Sequence, residues 1–313
     1  MNTETLSTPQ GTPITADWQR IGATRGFQPP DVTELRIALF GRPGCGKTEL
    51  LMQIPDALIL DYDLAAQSIT RQVATRLPMV DHPNQPVWDY HEAVIKKLED
   101  DASAGHRRFS RICFDTVDRW FDANGRKAVA VWNAGENRQK NPGSKATSLL
   151  GIKDEGSMWG QARDAVYRDL ARLTQAGYSW LVTGHVQRER AKVGGETVDF
   201  WMPTLNYKMA AHICSLSEYV LNLNRTVTKA KGTKVINGKT ITFDVPGQQC
   251  EYSLLTTPTD DQVDVKMRIA LAQQRIVFPQ FGGWDLFTKS YVEACDKVRA
   301  EYANPAQPTH SKE

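Results

Sequence analysis

Eight consecutive residues, Gly41-Arg42-Pro43-Gly44-Cys45-Gly46-Lys47-Thr48, have the types and spacing to grip a triphosphate. Gly41, Gly46, Lys47 and Thr48 satisfy the spacing G-x-x-x-x-G-K-[ST]. Glycines let the backbone wrap an anion and aim its N–H groups inward. Lys47 is expected to reach the β- and γ-phosphates, and the Thr48 hydroxyl to ligate Mg²⁺. The helix that follows directs its positive end at the same anion. The nucleotide-contacting stretch is therefore expected to run from Gly41 through Glu49.

A phosphate loop needs acidic partners. Asp115 closes the apolar run Arg111-Ile112-Cys113-Phe114 and is the natural second Mg²⁺ anchor, directly or through water. Its bland alternative is a cap for the next helix. Asp61 and Asp63 close another apolar run, and one of them could orient or deprotonate an attacking water. Asp63 is favoured, with Asp61 next. His185, after Ser179–Val182, could sense the γ-phosphate by hydrogen bonding, with Thr183 a weaker choice.

The elements that must position these residues are short apolar strands, each followed by a helix. Leu35–Phe40 leads into the glycine loop, and a helix opens at Thr48. Ala57–Leu60, Arg111–Phe114 and Ser179–Val182 are further strands. Helical patterning covers about 118–132 and 158–176, with a polar loop over 134–156 between them. Such alternation predicts an α/β fold with a mostly parallel sheet covered by helices. Ligands in such sheets bind at the carboxyl ends of the strands, where the loop and the acidic residues fall. Beyond residue 215 the pattern turns antiparallel. Asn237-Gly238 sits between strand-like flanks, a hairpin signal. Residues 284–302 read as a C-terminal helix. The boundaries expected are a flexible arm over 1–33, a core over 34–275, and a C-terminal helix and tail over 276–313.

Hydrophobic residues make up 41% of the 313, enough for a sizeable core. The net charge of +2 gives no global positive field, so a nucleic-acid site would have to be a local patch. Five cysteines without metal-ligand spacing fit free thiols in a reducing cytoplasm. No apolar run is long enough to span a membrane.

With these motifs placed, the chain resembles the phage-encoded RecA-like P-loop ATPases, a phage AAA-type nucleotide-binding family associated with single-strand annealing and recombination. The segments that carry this are ELRIALFGRPGCGKTELL, ALILDYD, RICFDTVDRW, WLVTGHVQRER and DVKMRIAL, over roughly residues 35–275. The resemblance implies ATP and Mg²⁺ as ligands and self-association into a ring or filament. It also implies that Lys266 and Arg268 reach a neighbouring subunit's γ-phosphate, as arginine fingers do. The family's usual carboxylate after the second strand is Glu. Asp63 is one methylene shorter, which implies slow turnover or a switch that binds more than it hydrolyses.

The family binds single-stranded DNA through two mobile loops, matching about 134–156 and 186–206 here. The first carries Arg138, Lys140 and Lys145, and the second Arg188, Arg190 and Lys192. A third basic cluster includes Arg225, Lys229 and Lys231, with no acidic residue between Glu218 and Asp244. Cations for phosphates and aromatics for bases are what single-strand binding needs. Two other readings stand beside this one. In a small-molecule kinase, 134–156 would serve as a lid. In a nucleotide switch, the C-terminal aromatics Phe278, Phe281, Trp284, Phe287 and Tyr291 would dock a replication or recombination protein, unless they pack back onto the core.

Overall fold

The computed structural model describes residues 28–135, 145–152, 156–193, 196–236, 239–258 and 265–303. Their strands form one ten-stranded sheet. Five buried runs build its centre: β1 (Ile37–Gly41), β2 (Ala57–Asp61), β4 (Arg111–Asp115), and the first halves of β5 (Ser179–Val193) and β7 (Tyr219–Ile236). All the neighbours in the order β7-β1-β5-β4-β2-β3 are parallel, with β3 (Thr75–Pro78) at the edge. The remaining strands, β6 (Glu196–Pro203), β8 (Lys239–Leu255), β9 (Lys266–Met267) and β10 (Arg275–Phe278), pair antiparallel.

Strand residues alternate between two layers, as the period of two requires. Ile37, Leu39, Ile59 and Leu221 face a layer made by α1 (Lys47–Leu51) and α6 (Gly283–Ala303). Ala38, Phe40, Leu58, Phe114 and Val182 face four helices. These are α2 (Val87–Ser103), α3 (Val117–Ala134), α4 (Ser157–Gln175) and α5 (Tyr207–Leu216).

One expectation is corrected, and others are made specific. The expected loop 186–206 is mostly an antiparallel ribbon, in register from Val186↔Pro203 to Val193↔Glu196. Gly194-Gly195 between two β-prone runs is the hairpin signal in the sequence. The helix after the phosphate loop is only five residues long. The C-terminal aromatics pack inward: Phe278, Trp284, Phe287 and Tyr291 are all buried in the layer shared with α1. Strand β10 pairs with β8 across the expected boundary at 275. The strand β3 and the helix α2 had no counterpart in the sequence reading.

Candidate nucleotide site

The loop leaves β1 where Gly41 lies between His185 of β5 and Leu223 of β7. A Cβ on Gly41 would sit 2.6 Å from both Cys45 Sγ and the Leu223 carbonyl oxygen, so no side chain fits. Gly46 has φ of 97° and would meet the Tyr252 ring at 2.6 Å. These two glycines are required by packing as well as by turn geometry. Cys45 is buried behind the loop, and burial raises its thiol pKa. On the rim, Arg42 lies over the Trp201 ring at 5.0 Å. Pro43 and Gly44 form the tip, and a Glu49 oxygen lies 3.7 Å from where a Gly46 Cβ would be.

Lys47 is buried, and its ammonium donates to the Gly41 and Arg42 carbonyls at 2.9 and 3.2 Å. Its third contact is His185 Nδ1 at 3.1 Å. An ammonium only donates, so Nδ1 accepts and the proton of a neutral His185 sits on Nε2. Nε2 lies 3.8 Å from Asp63. A polar chain thus runs from Lys47 through His185 to Asp63, and a phosphate at Lys47 would be felt at that carboxylate.

Asp115 is buried and accepts two hydroxyl bonds of 2.6 Å, from Thr48 and from Thr183. Strand β5 stands between β1 and β4, so Thr183 braces the carboxylate from the inserted strand. Burial raises the Asp115 pKa, opposed by the two hydroxyl bonds. A cation there would relieve that cost. The donor set, one hydroxyl and one carboxylate held together, fits Mg²⁺, which takes few protein ligands and completes its shell with phosphate and water. No cluster of three or more acidic, His or Cys side chains at metal-binding range occurs among the described residues.

The acidic pair after β2 separates into two roles. Asp61 is fully buried and accepts from Arg76 Nε at 2.7 Å and the Ala66 N–H at 3.2 Å. It is a structural anchor and faces no water. Removing one partner of a buried pair leaves an uncompensated charge, at a cost of about 3–5 kcal/mol. Arg76→Ala is therefore expected to lower the urea midpoint markedly, near the low end of that range because Arg76 is 20% exposed. A change within error would contradict the anchor role. Asp63 is half-buried, bonded by Arg119 Nε at 3.1 Å and Thr116 Oγ1 at 3.4 Å. His185 holds its pKa below the ordinary value, and Arg119 adds to this. It is ionised at neutral pH and able to accept a proton, but it is a weak base.

Sequence reasoning missed Asp118. One of its oxygens accepts the His185 backbone N–H at 3.0 Å, and the other accepts from Thr204 Oγ1 at 2.5 Å. The Thr204 N–H in turn donates to the His185 carbonyl at 2.9 Å. The root of the β5–β6 ribbon is thereby tied to the first turn of α3. A carboxylate in a first helical turn reads in sequence as a complement to the helix dipole, which hides this second role.

Other residues fall elsewhere. Arg225 was grouped with a nucleic-acid patch, but β7 runs on past the end of β1 and brings it to the phosphate loop. Its guanidinium donates to the Gly44 carbonyl at 3.3 Å and to Cys250 Sγ at 2.9 Å, over the Tyr252 ring. Arg225→Ala is expected to weaken nucleotide binding severalfold by loosening the loop tip. Unchanged affinity for a fluorescent nucleotide would refute this. Lys266 and Arg268 flank Met267, which pairs with Tyr219, four residues and about 13 Å before the loop end of β7. Lys266 caps α5 through the Cys214 and Ser215 carbonyls, at 3.1 and 3.0 Å. Arg268 lies 3.9 Å from Glu218. Neither joins this chain's own site.

Of the expected nucleic-acid residues, Arg138 and Lys140 lie outside the described residues. Lys145 is exposed, as are Arg188 and Arg190 on the ribbon. Lys192 lies on β5, and Lys229 and Lys231 on β7.

The fold and site together define an α/β protein of the phosphate-loop class, with the loop, Thr48–Asp115 and His185–Asp63 at the carboxyl ends of parallel strands. The chain belongs to the AAA domain family, whose sequence model matches residues 33–269. Among solved structures it is similar to a KaiC-like protein of Pyrococcus horikoshii OT3, at 12% identity and a TM-score of 0.38, over 80% of this chain and 88% of that one. It is also similar to the flagellar accessory protein FlaH of Methanocaldococcus jannaschii, at 10% identity and a TM-score of 0.34, over 79% and 85% of the two chains. No curated protein matches it. No helix among the described residues is long and apolar enough to cross a membrane.

Proposed function

We propose that this chain binds and hydrolyses ATP with Mg²⁺, and that single-stranded DNA bound on the ribbon side governs the reaction, as in phage-type annealing or recombination. The supporting observation is that β5 is one strand from site to ribbon. It carries Thr183 on Asp115, His185 between Lys47 and Asp63, and then Arg188 and Arg190. Asp118 and Thr204 fix the point where it leaves the sheet. A ligand pulling on the ribbon therefore acts on His185 within three to five residues.

In this reading the loop amides and Lys47 hold the triphosphate and offset charge as it develops. Thr48 and Asp115 would hold Mg²⁺, which would supply charge neutralisation at the phosphates. Asp63 orients a water and accepts its proton, and His185 keeps Asp63 ionised until phosphate competes for Lys47. A weak base makes basal turnover slow, which suits control by a ligand. Self-association rests on Arg268, because Lys266 is committed to carbonyls; only a neighbouring copy could receive Arg268 at its phosphates.

The test is steady-state ATP hydrolysis with and without oligo-dT. Stimulation by the oligonucleotide is expected, weakening as salt rises. It should be lost in the double variant Arg188→Glu/Arg190→Glu while basal hydrolysis persists. Equal rates with and without DNA, together with no salt-sensitive binding, would refute the DNA half of the proposal and leave the ATPase half standing.

A further inference from the structure

A cleft of about 450 Å³ opens between α3, α4 and α5, away from the phosphate loop. Its walls carry Phe121, Trp159 and Tyr207, and its cations are Arg163 and Lys208. Among the described residues no carboxylate lines it. The Phe121 and Trp159 ring centroids are 5.8 Å apart. Tyr207 is 73% exposed, so its ring face is open to a ligand. The Lys208 ammonium has no ion pair among the described residues, whereas Arg163 is held at 3.1 Å by Asp164. The floor is open because two of its residues are glycines. A Cβ on Gly156 would meet nothing within 4 Å, and one on Gly160 only the tip of Arg163 at 3.9 Å. A side chain at either position would occupy space that a flat ligand needs.

We propose that this cleft is a base-binding subsite for single-stranded nucleic acid, a subsite distinct from the ribbon arginines; the inference rests on the reading of the chain as a DNA-governed ATPase. Aromatic faces stack any base, and adjacent cations hold the flanking phosphates. Phe121 and Trp159 also pack against the core beneath them, but an acidic peptide would use the cations and leave the exposed Tyr207 ring without a role. The cleft also lies where it can report to the nucleotide. Phe121 comes one helical turn after Asp118, and Tyr207 three residues after Thr204. Asn206 caps α5 by accepting from the Lys208 N–H, which fixes this stretch. The Asp118–Thr204 bond therefore joins the two walls of the cleft behind the base and continues to the His185 backbone.

The experiment is fluorescence anisotropy with labelled oligo-dT and oligo-rU on the full chain, using Tyr207→Ala, Trp159→Ala and Lys208→Glu. Tyr207 and Lys208 are exposed, so these variants should keep wild-type melting curves and basal ATP hydrolysis. Each aromatic substitution is expected to weaken binding roughly 5- to 100-fold. Photocrosslinking of iododeoxyuridine oligonucleotide should label a peptide containing Trp159 or Tyr207. The two oligonucleotides tell DNA from RNA, and tighter binding of either fits the proposal. Wild-type affinity in the folded Tyr207 and Trp159 variants, with affinity lost in the ribbon double variant, would overturn the cleft assignment and leave the proposed function intact. No oligonucleotide binding by the wild type would overturn both.

Discussion

Lys47→Ala is expected to lower ATP hydrolysis by roughly 100- to 1,000-fold, the usual loss when one preorganised charge donor is removed from a transition state. The buried ammonium has three acceptors, two carbonyls of its own loop and His185. It is therefore oriented before any phosphate arrives, and no neighbouring cation replaces it. Arg42 is turned onto Trp201 and Arg225 onto the Gly44 carbonyl. The fold should tolerate the change: the Arg42 carbonyl is only part-buried, whereas the buried Gly41 carbonyl loses one partner. A stability loss of about 1–3 kcal/mol is expected by urea unfolding. The substitution should also free His185 Nδ1 and so loosen its hold on Asp63. Retention of most wild-type turnover by a folded Lys47→Ala protein would remove the basis for reading 41–48 as a catalytic phosphate loop.

The second large effect separates activity from stability. Asp115→Asn keeps the shape but removes the charge, and hydrolysis should fall roughly 100-fold or more as the Mg²⁺ anchor is lost. The nucleotide-free protein should nevertheless become more stable near neutral pH. Burial raises the Asp115 pKa above its ordinary value of 3.8, so the folded state disfavours the ionised form. A group raised in this way contributes its stability fully below the unfolded pKa, and that contribution is lost as pH rises through the folded value. Asparagine does not titrate. It can accept from one threonine hydroxyl and donate to the other, because a hydroxyl does either. The advantage of Asp115→Asn in urea midpoint should shrink as pH falls toward 3.8. A variant less stable than wild type at neutral pH, or with a pH-independent difference, would contradict a carboxylate strained by burial. Such a carboxylate fits the proposed cation site, its cost accepted for function.

Both results rest on residues whose identity the sequence announces but whose partners it does not. The phosphate loop, the strands β1, β2, β4 and β5, and Asp115 were legible because they are local. Five or fewer buried apolar residues, a glycine-rich turn and a terminal acid lie within one stretch of chain. The split between Asp61 and Asp63 was not legible. The two are both acids at one strand end, and what separates them is Arg76, fifteen residues on, and the pairing of β2 with β3. In sequence the ribbon reads as a loop because charged residues interrupt its apolar ones, and Gly194-Gly195 is the local hairpin clue. Arg225 looked like one more cation in a basic run. Only the parallel register Gly41↔Leu223 shows that β7 carries it past the end of β1 to the loop tip. Asp118, Thr204 and the walls of the cleft come from different helices and one strand end, and nothing in their spacing ties them together.

By itself, then, the sequence determined the phosphate-loop motif, the layered α/β plan and the acidic strand ends, since each is written in contiguous residues. The tertiary structure decided which acid faces water, which arginine serves the loop, and how the ribbon is tied to His185. The physical reason is that these are contacts between groups 15 to 181 residues apart in the chain, whose meeting depends on strand order and helix packing.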